Sequence, residues 1–329
     1  MSAILLDALL LGVGIIIILF GGDYLVRGAV ALARATGVPS LLIGLTIVAF
    51  GTSAPEMVVS VFAAIAGAPD LAVGNIVGSN IANILLVLGL PAVIAAMGTT
   101  AKGVRTNALI ALAASLLFIG LSWDRQISFV EGGILAALIG VYILYLAIVA
   151  VRSRDNPMVA ELTSVDEMEG LPKSGLTTAL SLLVGLIALP IGANLIVEGG
   201  SGIAATLGVS QAVIGLTILA IGTSLPELAT SLVAAVRRQA DMAIGNVIGS
   251  NIFNIFAVGG ITGVAAGAFA GGVEVDETFF RLDFWVFLAS AVFITWLVFS
   301  RRPMGRLTGL TLLVGYAAYL GVLVWTNLG

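Results

Sequence analysis

Two glutamates lie about halfway along long apolar stretches, in segments that read GTSAPE and GTSLPE. A carboxylate at the depth of a bilayer is costly and marks a functional site by default. No Lys or Arg lies within either stretch to pair with Glu56 or Glu227, so a bound cation is the simplest counter-charge. Thr52 and Thr223 each precede the glutamate by four residues and therefore share its helix face. The same face continues one turn further with Ser60 and Ser231.

A proline precedes each glutamate. Proline inside a helix removes an N–H donor and displaces the carbonyl four residues back. Pro55 and Pro226 therefore free the carbonyl oxygens of Gly51 and Gly222 for a ligand. A helix interrupted in this way is tolerated at membrane depth only where it faces protein or a water-filled cavity.

The next apolar stretch after each glutamate carries a second motif, GNIVGSNIANI or GNVIGSNIFNI. Polar residues recur at every fourth position, giving Asn75, Ser79 and Asn83 in the first copy and Asn246, Ser250 and Asn254 in the second. A neighbouring stripe of small residues is suited to close helix packing, although Phe253 ends it in the second copy. Asn80 and Asn251 point away from the polar stripe, and we interpret them as hydrogen-bonding partners between helices.

The candidate site is built from oxygen donors that are neutral or negative. Ca²⁺ takes 6–8 such oxygens in flexible geometry, whereas transition metals usually require imidazole or thiolate, and the chain has no His and no Cys. Two carboxylates can neutralise one Ca²⁺, and the same pair can instead serve Na⁺ ions or protons.

The composition predicts a membrane protein. Of 329 residues, 60% are hydrophobic and 10% charged, and the mean hydropathy is +1.17, which excludes an ordinary soluble domain. With 14 basic and 18 acidic residues and no basic run, nucleic acid is not an expected partner. We predict an all-α membrane protein, with the N-terminal stretch as a first span, not a removable signal.

The ten predicted spans are 3–32, 40–66, 71–98, 105–122, 128–150, 175–205, 210–236, 242–270, 283–300 and 306–326.

The two pairs of motifs belong to an internal repeat. Residues 44–90 and 215–261 are identical at 25 of 47 positions at a constant offset of 171. Each half holds five spans, and an odd number makes the second half insert with the opposite orientation, as in secondary transporters. The sequence therefore predicts two inverted five-helix repeats, 1–151 and 175–329, with helices 2, 3, 7 and 8 broken and forming the core.

The distribution of cations predicts the orientation. Cytoplasmic loops carry an excess of Lys and Arg, and with both termini outside, 12 cations lie inside and two, Arg125 and Arg281, lie outside. The hydrophilic segment 152–174 is then a cytoplasmic loop. We interpret it as a solvated linker, with a regulatory ion site among its acidic residues as the alternative.

The paired motifs resemble the α-repeats of the calcium/cation antiporter superfamily, and are most similar to those of prokaryotic sodium/calcium exchangers. The resemblance implies that the first half of the ion site is supplied by Thr52, Ser53, Glu56, Ser79 and Asn83, and the second half by Thr223, Ser224, Glu227, Ser250 and Asn254. It also implies that backbone oxygens near Ala49 and Ala220 contribute, and that the first and sixth helices slide to alternate access.

Two positions depart from the family pattern. Some exchangers carry Asp at the position of Asn254, so this core has one ionisable group fewer and its exchange stoichiometry is open. Ala54 stands where the family commonly has Leu before the proline, which we interpret as a packing change.

The sequence favours an integral membrane protein, most simply of a prokaryotic inner membrane. We predict that it is a secondary antiporter that exchanges Ca²⁺ for Na⁺ without a cofactor. Ca²⁺/H⁺ antiport is the alternative on the same scaffold. Members of that type usually carry an acid shortly after the GN of the second motif, where residues 76–77 and 247–248 are apolar here. A cation channel would use rings of ligands in an oligomer, and an intramembrane protease would not need ion-binding amides. The oligomeric state stays open.

Overall fold

The computed structural model describes residues 3–101, 103–154, 168, 170–209 and 220–328, which are mostly helical. The helices are α1 (Ala3–Thr36), α2 (Ser40–Thr52), α3 (Ala54–Ile65), α4 (Pro69–Ile94), α5 (Val104–Leu121), α6 (Phe129–Arg154), α7 (Gly175–Thr206), α8 (Ala220–Gly222), α9 (Leu225–Val236), α10 (Ala240–Phe269), α11 (Asp283–Phe299) and α12 (Arg306–Leu328). Two short strands, β1 (Gln126–Ile127) and β2 (Val273–Glu274), pair antiparallel, and a 3-10 helix covers Glu277–Phe280.

Seven of the described helices are long and apolar enough to cross a bilayer, and the bent pair α2 and α3 makes an eighth if it is one span. The sequence predicts ten. Helices α9 and α11 are apolar but have only 12 and 17 residues, less than the ~20 that a full crossing needs. Residues 210–219, which would complete the predicted span 210–236, lie outside the described residues.

Helices α1 and α7 run antiparallel along each other, with glycines at their contact. A Cβ atom on Gly14 would lie 2.8 Å from the Gly192 carbonyl oxygen, and one on Gly185 would lie 2.8 Å from the Gly21 carbonyl oxygen. Small residues allow this close approach of helices in lipid. The helices have 34 and 32 residues, so each is about 50 Å long and exceeds the ~30 Å hydrocarbon core.

This packing makes Gly185→Leu an informative variant. Its Cβ would lie 2.6 Å from the Cβ of Leu25, so we expect overpacking to lower the free energy of unfolding by about 1–3 kcal/mol. Gly12→Leu is the matched control, because no atom lies within 4 Å of a Cβ at that position. Thermal unfolding in detergent measures both, and equal Tm values would contradict the close contact.

The first GTS-x-PE segment breaks its helix, as the sequence predicts. Helices α2 and α3 meet at 42°, with Ser53 between them. Pro55 lies in the first turn of α3, where a missing N–H costs least, and it cannot donate to the Gly51 carbonyl. Helices α8 and α9 are likewise separated by two residues. Glu56 and Glu227 therefore lie in the first turns of α3 and α9.

The predicted breaks in the third and eighth spans take a different form. Helices α4 and α10 continue through π-helical segments, Asn83–Val87 in α4 and Asn254–Gly259 in α10. Short π segments inside α-helices are frequent at functional sites. Each begins at the asparagine that ends the polar stripe, so these helices are locally widened instead of broken.

The strand pair is a correction to the all-α prediction. Gln126 pairs with Glu274 and Ile127 with Val273, and strands of two residues are too short to show an alternating sequence pattern. We call the end of the molecule with β1 and β2 the hairpin face. Helix α6 begins beside β1, so its other end lies at the opposite side, which we call the linker face.

Helix α6 extends to Arg154, three residues into the segment 152–174 that the sequence assigns to the linker. Helix α7 begins at Gly175 as predicted, and Ser174 caps it by accepting the Thr177 N–H at 3.2 Å. Several predicted cytoplasmic residues lie outside the described residues, namely Lys102, Asp155, Glu161, Asp166, Glu167 and Glu169.

Candidate cation site

Glu56 and Glu227 lie close together inside the helix bundle. Neither side chain has exposed surface, and the two carboxylates are close enough to repel each other. Neither takes part in any ion pair found among the described residues, all of which involve Asp23 or Glu277. Buried carboxylates without a basic partner are unfavourable, so the pair is suited to a cation.

Hydroxyl groups from both motif pairs surround the Glu227 carboxylate. Ser53 Oγ donates to Glu227 Oε1 at 3.3 Å, and the hydroxyls of Thr52 and Ser250 lie close enough to interact with the carboxylate electrostatically. Ser53 does not cap α3, although it occupies the N-cap position. Its hydroxyl is directed at the acid of the other half, so the two halves contribute to one cluster of polar side chains.

An asparagine from the following helix fixes the backbone beside each acid. Asn75 Nδ2 donates to the Glu56 carbonyl oxygen at 3.1 Å and to Ser60 Oγ at 2.9 Å. Asn246 Nδ2 donates to the Glu227 carbonyl oxygen at 3.4 Å and to Ser231 Oγ at 3.0 Å. The same arrangement therefore occurs twice, once around each glutamate.

The threonines join the two halves reciprocally. Thr52 Oγ1 donates to Asn246 Oδ1 at 3.4 Å, and Thr223 Oγ1 donates to Asn75 Oδ1 at 3.2 Å. Two further hydroxyl contacts of 3.5 Å link Thr52 with Ser250 and Thr223 with Ser79. Each threonine thus contacts the polar stripe of the opposite half.

Several predicted ligands have buried polar atoms without a hydrogen-bond partner. These are both carboxylate oxygens of Glu56, Oε2 of Glu227, Oγ of Ser224, and both amide atoms of Asn83 and Asn254. A buried polar group left unpaired costs about 1–3 kcal/mol. Oxygens held in this state inside a protein are suited to coordinate a cation. No group of three or more His, Cys, Asp or Glu lies together among the described residues, so ligation here depends on hydroxyl, amide and backbone oxygens as well.

The structure brings most of the predicted site residues into one hydrogen-bonded cluster. The Ala49 carbonyl oxygen accepts the Ser53 N–H at 3.0 Å and lies 3.3 Å from Thr52 Oγ1, for which it is an alternative acceptor to Asn246 Oδ1. Ala220 begins α8. The predicted ligands did not include Asn75 and Asn246, although the polar stripe was a signal for them. That the cluster binds the ion stays a prediction.

The asparagines outside the polar stripe differ from each other. Asn251 Nδ2 donates to the Asn80 carbonyl oxygen at 3.3 Å, which confirms the predicted bond between helices. The Asn80 side chain instead donates to Ile76 O within its own helix. These two residues are related by the repeat offset, so the halves meet directly at this contact.

A cavity of about 960 Å³ leads from this cluster towards the hairpin face. At its inner end it is lined by Asn75, Ser79 and Thr223, and towards the hairpin face by Asp276 and Phe279 among others. Helix α7 forms part of its wall. Ions could therefore reach the cluster from this face.

The equivalent surface of the other half is packed. A Cβ atom on Gly78 would meet nothing within 4 Å, whereas one on its counterpart Gly249 would lie 2.8 Å from the Ala49 Cβ. Thr52 is 1% exposed and Asn246 is fully buried, while their counterparts line the cavity. The structure is thus open on the hairpin face and closed on the linker face.

The mouth of the cavity is negatively charged. Hydrogen bonds from the Thr278 hydroxyl and N–H keep the pKa of Asp276 below its usual range, and the nearby Arg125 and Arg281 act in the same direction. Asp70 and Asp283 also line the cavity. The charged side chains that line the cavity are thus acidic, which favours approach of cations, although Arg125 and Arg281 lie nearby.

Comparisons with known proteins point to one family. The family model described as "Sodium/calcium exchanger protein" matches residues 6–151 and 177–325. Inner membrane protein YrbG of Escherichia coli is 34% identical over 98% of this chain and 98% of its own length. Sodium/calcium exchanger MaX1 of Methanosarcina acetivorans is 31% identical over 98% of this chain and 99% of its own. A structure of the sodium-calcium exchanger NCX_Mj, soaked with Na⁺ and Sr²⁺, matches with a TM-score of 0.77 and 31% identity, over 97% of this chain and 98% of that one.

Proposed function

This chain belongs to the sodium/calcium exchanger protein family, and we propose that it exchanges Ca²⁺ for Na⁺ by alternating access at one site shared by two inverted repeats. The observation that carries this proposal is the buried cluster in which Glu56 and Glu227, one from each half, present carboxylate oxygens without hydrogen-bond partners. As a cation/Ca²⁺ antiporter in a membrane, it needs such a site to be reachable from each side in turn.

We assign the ligands to both halves of the cluster. The first half contributes Thr52, Ser53, Glu56, Ser79, Asn83 and the backbone at Ala49, and the second contributes Thr223, Ser224, Glu227, Ser250, Asn254 and the backbone at Ala220. Two carboxylates balance one Ca²⁺ or two Na⁺, and the neutral oxygens complete the coordination that a hard cation prefers. Competition of both ions for the same acids couples their movements.

The ten-helix inverted repeat is part of the proposal. Helices α1 and α7 are related by the repeat offset and pack antiparallel, which supports opposite orientations of the repeats 1–151 and 175–329. In this arrangement both termini lie outside a prokaryotic inner membrane, and segment 152–174 is cytoplasmic. The hairpin face is then extracellular, so the cavity of this conformation opens outward.

The coupling ion is tested by flux measurements. In proteoliposomes with the membrane potential clamped, we expect an outward Na⁺ gradient to drive ⁴⁵Ca²⁺ uptake, and a pH gradient without Na⁺ to leave it near background. Uptake that follows the pH gradient and is indifferent to Na⁺ would reject Na⁺ coupling and establish Ca²⁺/H⁺ antiport. Single-channel currents would reject exchange altogether.

A further inference from the structure

An ion cluster joins α1 to α9 between the cation site and the linker face. Asp23 Oδ1 is 2.6 Å from Arg237 Nη2, and Asp23 Oδ2 is 2.8 Å from Arg27 Nε. Arg27 lies on α1 with Asp23, whereas Arg237 follows the last residue of α9. The Asp23–Arg237 pair therefore links two helices, while the Asp23–Arg27 pair lies within one.

The repeat offset relates Asp23 to a residue of the open pathway. At the repeat offset of 171 residues, Asp23 in the first half corresponds to Asn194 in the second, and Val26 corresponds to Val197. Both Asn194 and Val197 line the cavity on the hairpin face. An inverted repeat places their counterparts on the pathway to the opposite face, so Asp23 and Val26 would line that pathway when it opens.

In this structure, the pathway on the linker face is closed where α1 packs on α9. Val26 has no exposed surface, and a Cβ atom on Gly22 would lie 3.3 Å from the Ala229 carbonyl oxygen. The Asp23–Arg237 pair lies beside this contact and is only partly exposed, with side-chain accessibilities of 21% and 35%. The ion pair and the close packing thus hold together the same two helices.

We infer that Asp23 is a cation-attracting residue of the pathway to the linker face, and that Arg237 neutralises it and latches α1 to α9 while that pathway is closed. When α1 separates from α9, Asp23 loses Arg237, and its Oδ1 atom becomes available to a metal cation on its way to or from the site, while Oδ2 stays paired with Arg27. Arg27 moves with Asp23 and does not hold the latch. This inference rests on the alternating access proposed above.

Cysteine labelling tests the latch without measuring transport. The chain contains no cysteine, so Val26→Cys and Val197→Cys introduce single thiols at repeat-related positions of the closed and open pathways. In detergent, where both faces are reachable, we expect a hydrophilic maleimide to label Val197→Cys quickly and Val26→Cys slowly.

Adding Arg237→Gln should then shift the balance between the pathways. A partly exposed ion pair contributes about 0.2–1 kcal/mol, so we expect labelling of Val26→Cys to rise about 1.4- to fivefold and labelling of Val197→Cys to fall. Arg238→Gln is the matched control, since Arg238 carries the same charge at the next position and forms none of the ion pairs found among the described residues. Unchanged rates with Arg237→Gln, or equal changes with Arg238→Gln, would overturn the latch.

A second variant separates the two roles of Asp23. Asp23→Asn removes the latch as Arg237→Gln does, and should change labelling in the same direction. Only Asp23→Asn also removes the cation-attracting charge, so it alone should weaken the apparent Ca²⁺ affinity measured from the linker face of oriented vesicles. Equal affinities in the two variants would overturn the pathway role. Labelling reports the latch even if the transported ion proves different, so failure of the inference and failure of the proposed function are distinguishable.

Discussion

Replacing either buried glutamate by glutamine is expected to reduce Ca²⁺ flux on the order of 100-fold or more. Removing one charge from a buried, mutually compensating set costs about 3–5 kcal/mol, and each 1.4 kcal/mol corresponds to about tenfold in affinity. Ca²⁺ bound by Glu56→Gln or Glu227→Gln would keep an uncompensated positive charge inside the protein. ⁴⁵Ca²⁺ flux into proteoliposomes measures the loss.

The fold should survive this substitution. Both carboxylate oxygens of Glu56 lack hydrogen-bond partners, so the amide breaks no existing bond, and removing a buried charge relieves repulsion from Glu227. We expect thermal stability without Ca²⁺ to be retained, while the rise in Tm that Ca²⁺ causes by binding the folded state is lost.

The matched control for the glutamate variants is Glu131→Gln. Glu131 lies in the first turn of α6 and accepts bonds from the Ser128 N–H and hydroxyl. The chemical change is the same but lies outside the cluster, so flux should stay near that of the parent. Retained Ca²⁺ flux in both Glu56→Gln and Glu227→Gln would show that this pair does not carry the ion.

The sequence could predict that both halves contribute to the proposed site because the two halves repeat each other. A carboxylate in an apolar stretch needs a counter-charge, and the second copy of the motif adds a second carboxylate that can share one cation. The Ser53–Glu227 bond joins the two halves, but the sequence did not predict which hydroxyl contacts which acid. It also did not predict the roles of Asn75 and Asn246, because a stripe of polar residues does not tell which of them bind an ion and which fix the backbone.

The shape of the helices was harder to predict than their positions. Proline marks the break between α2 and α3 directly, but a π segment such as Asn83–Val87 changes only the hydrogen-bonding pattern and has no characteristic residue. The pair β1 and β2 is formed by contacts between distant loops. Local sequence patterns carry no information about such pairings.

The open face could not be predicted from the motifs, because they are nearly identical in the two halves. The difference arises from packing, as Gly249 touches Ala49 while its counterpart Gly78 faces open space. In the alternating access that we propose, the two conformations exchange these environments. Their relative stability would then depend on differences between the halves such as the Asp23–Arg237 pair.

The charge of the proposed site can be tested at Asn254, where Asn254→Asp is expected to make Ca²⁺ flux depend more strongly on pH. Asn254 is fully buried, and neither atom of its amide group has a hydrogen-bond partner. An aspartate there has nearly the same shape but adds a third acid to the two glutamates. Where this acid is ionised, the site holds one more negative charge than Ca²⁺ balances; where it is protonated, the charge of the parent is restored.

Flux should therefore change by up to about tenfold per pH unit across the range in which the new carboxyl titrates, in addition to the pH dependence of the parent. ⁴⁵Ca²⁺ uptake at a fixed Na⁺ gradient, measured between about pH 6 and 9, would show the change in slope. Asn254→Ala is the neutral comparison, because it removes the same amide without adding a titratable group and should keep the slope of the parent whatever its rate. If Asn254→Asp and Asn254→Ala have the same pH profile, then position 254 does not set the charge of the site, and the number of ions exchanged must be determined by Glu56 and Glu227 alone.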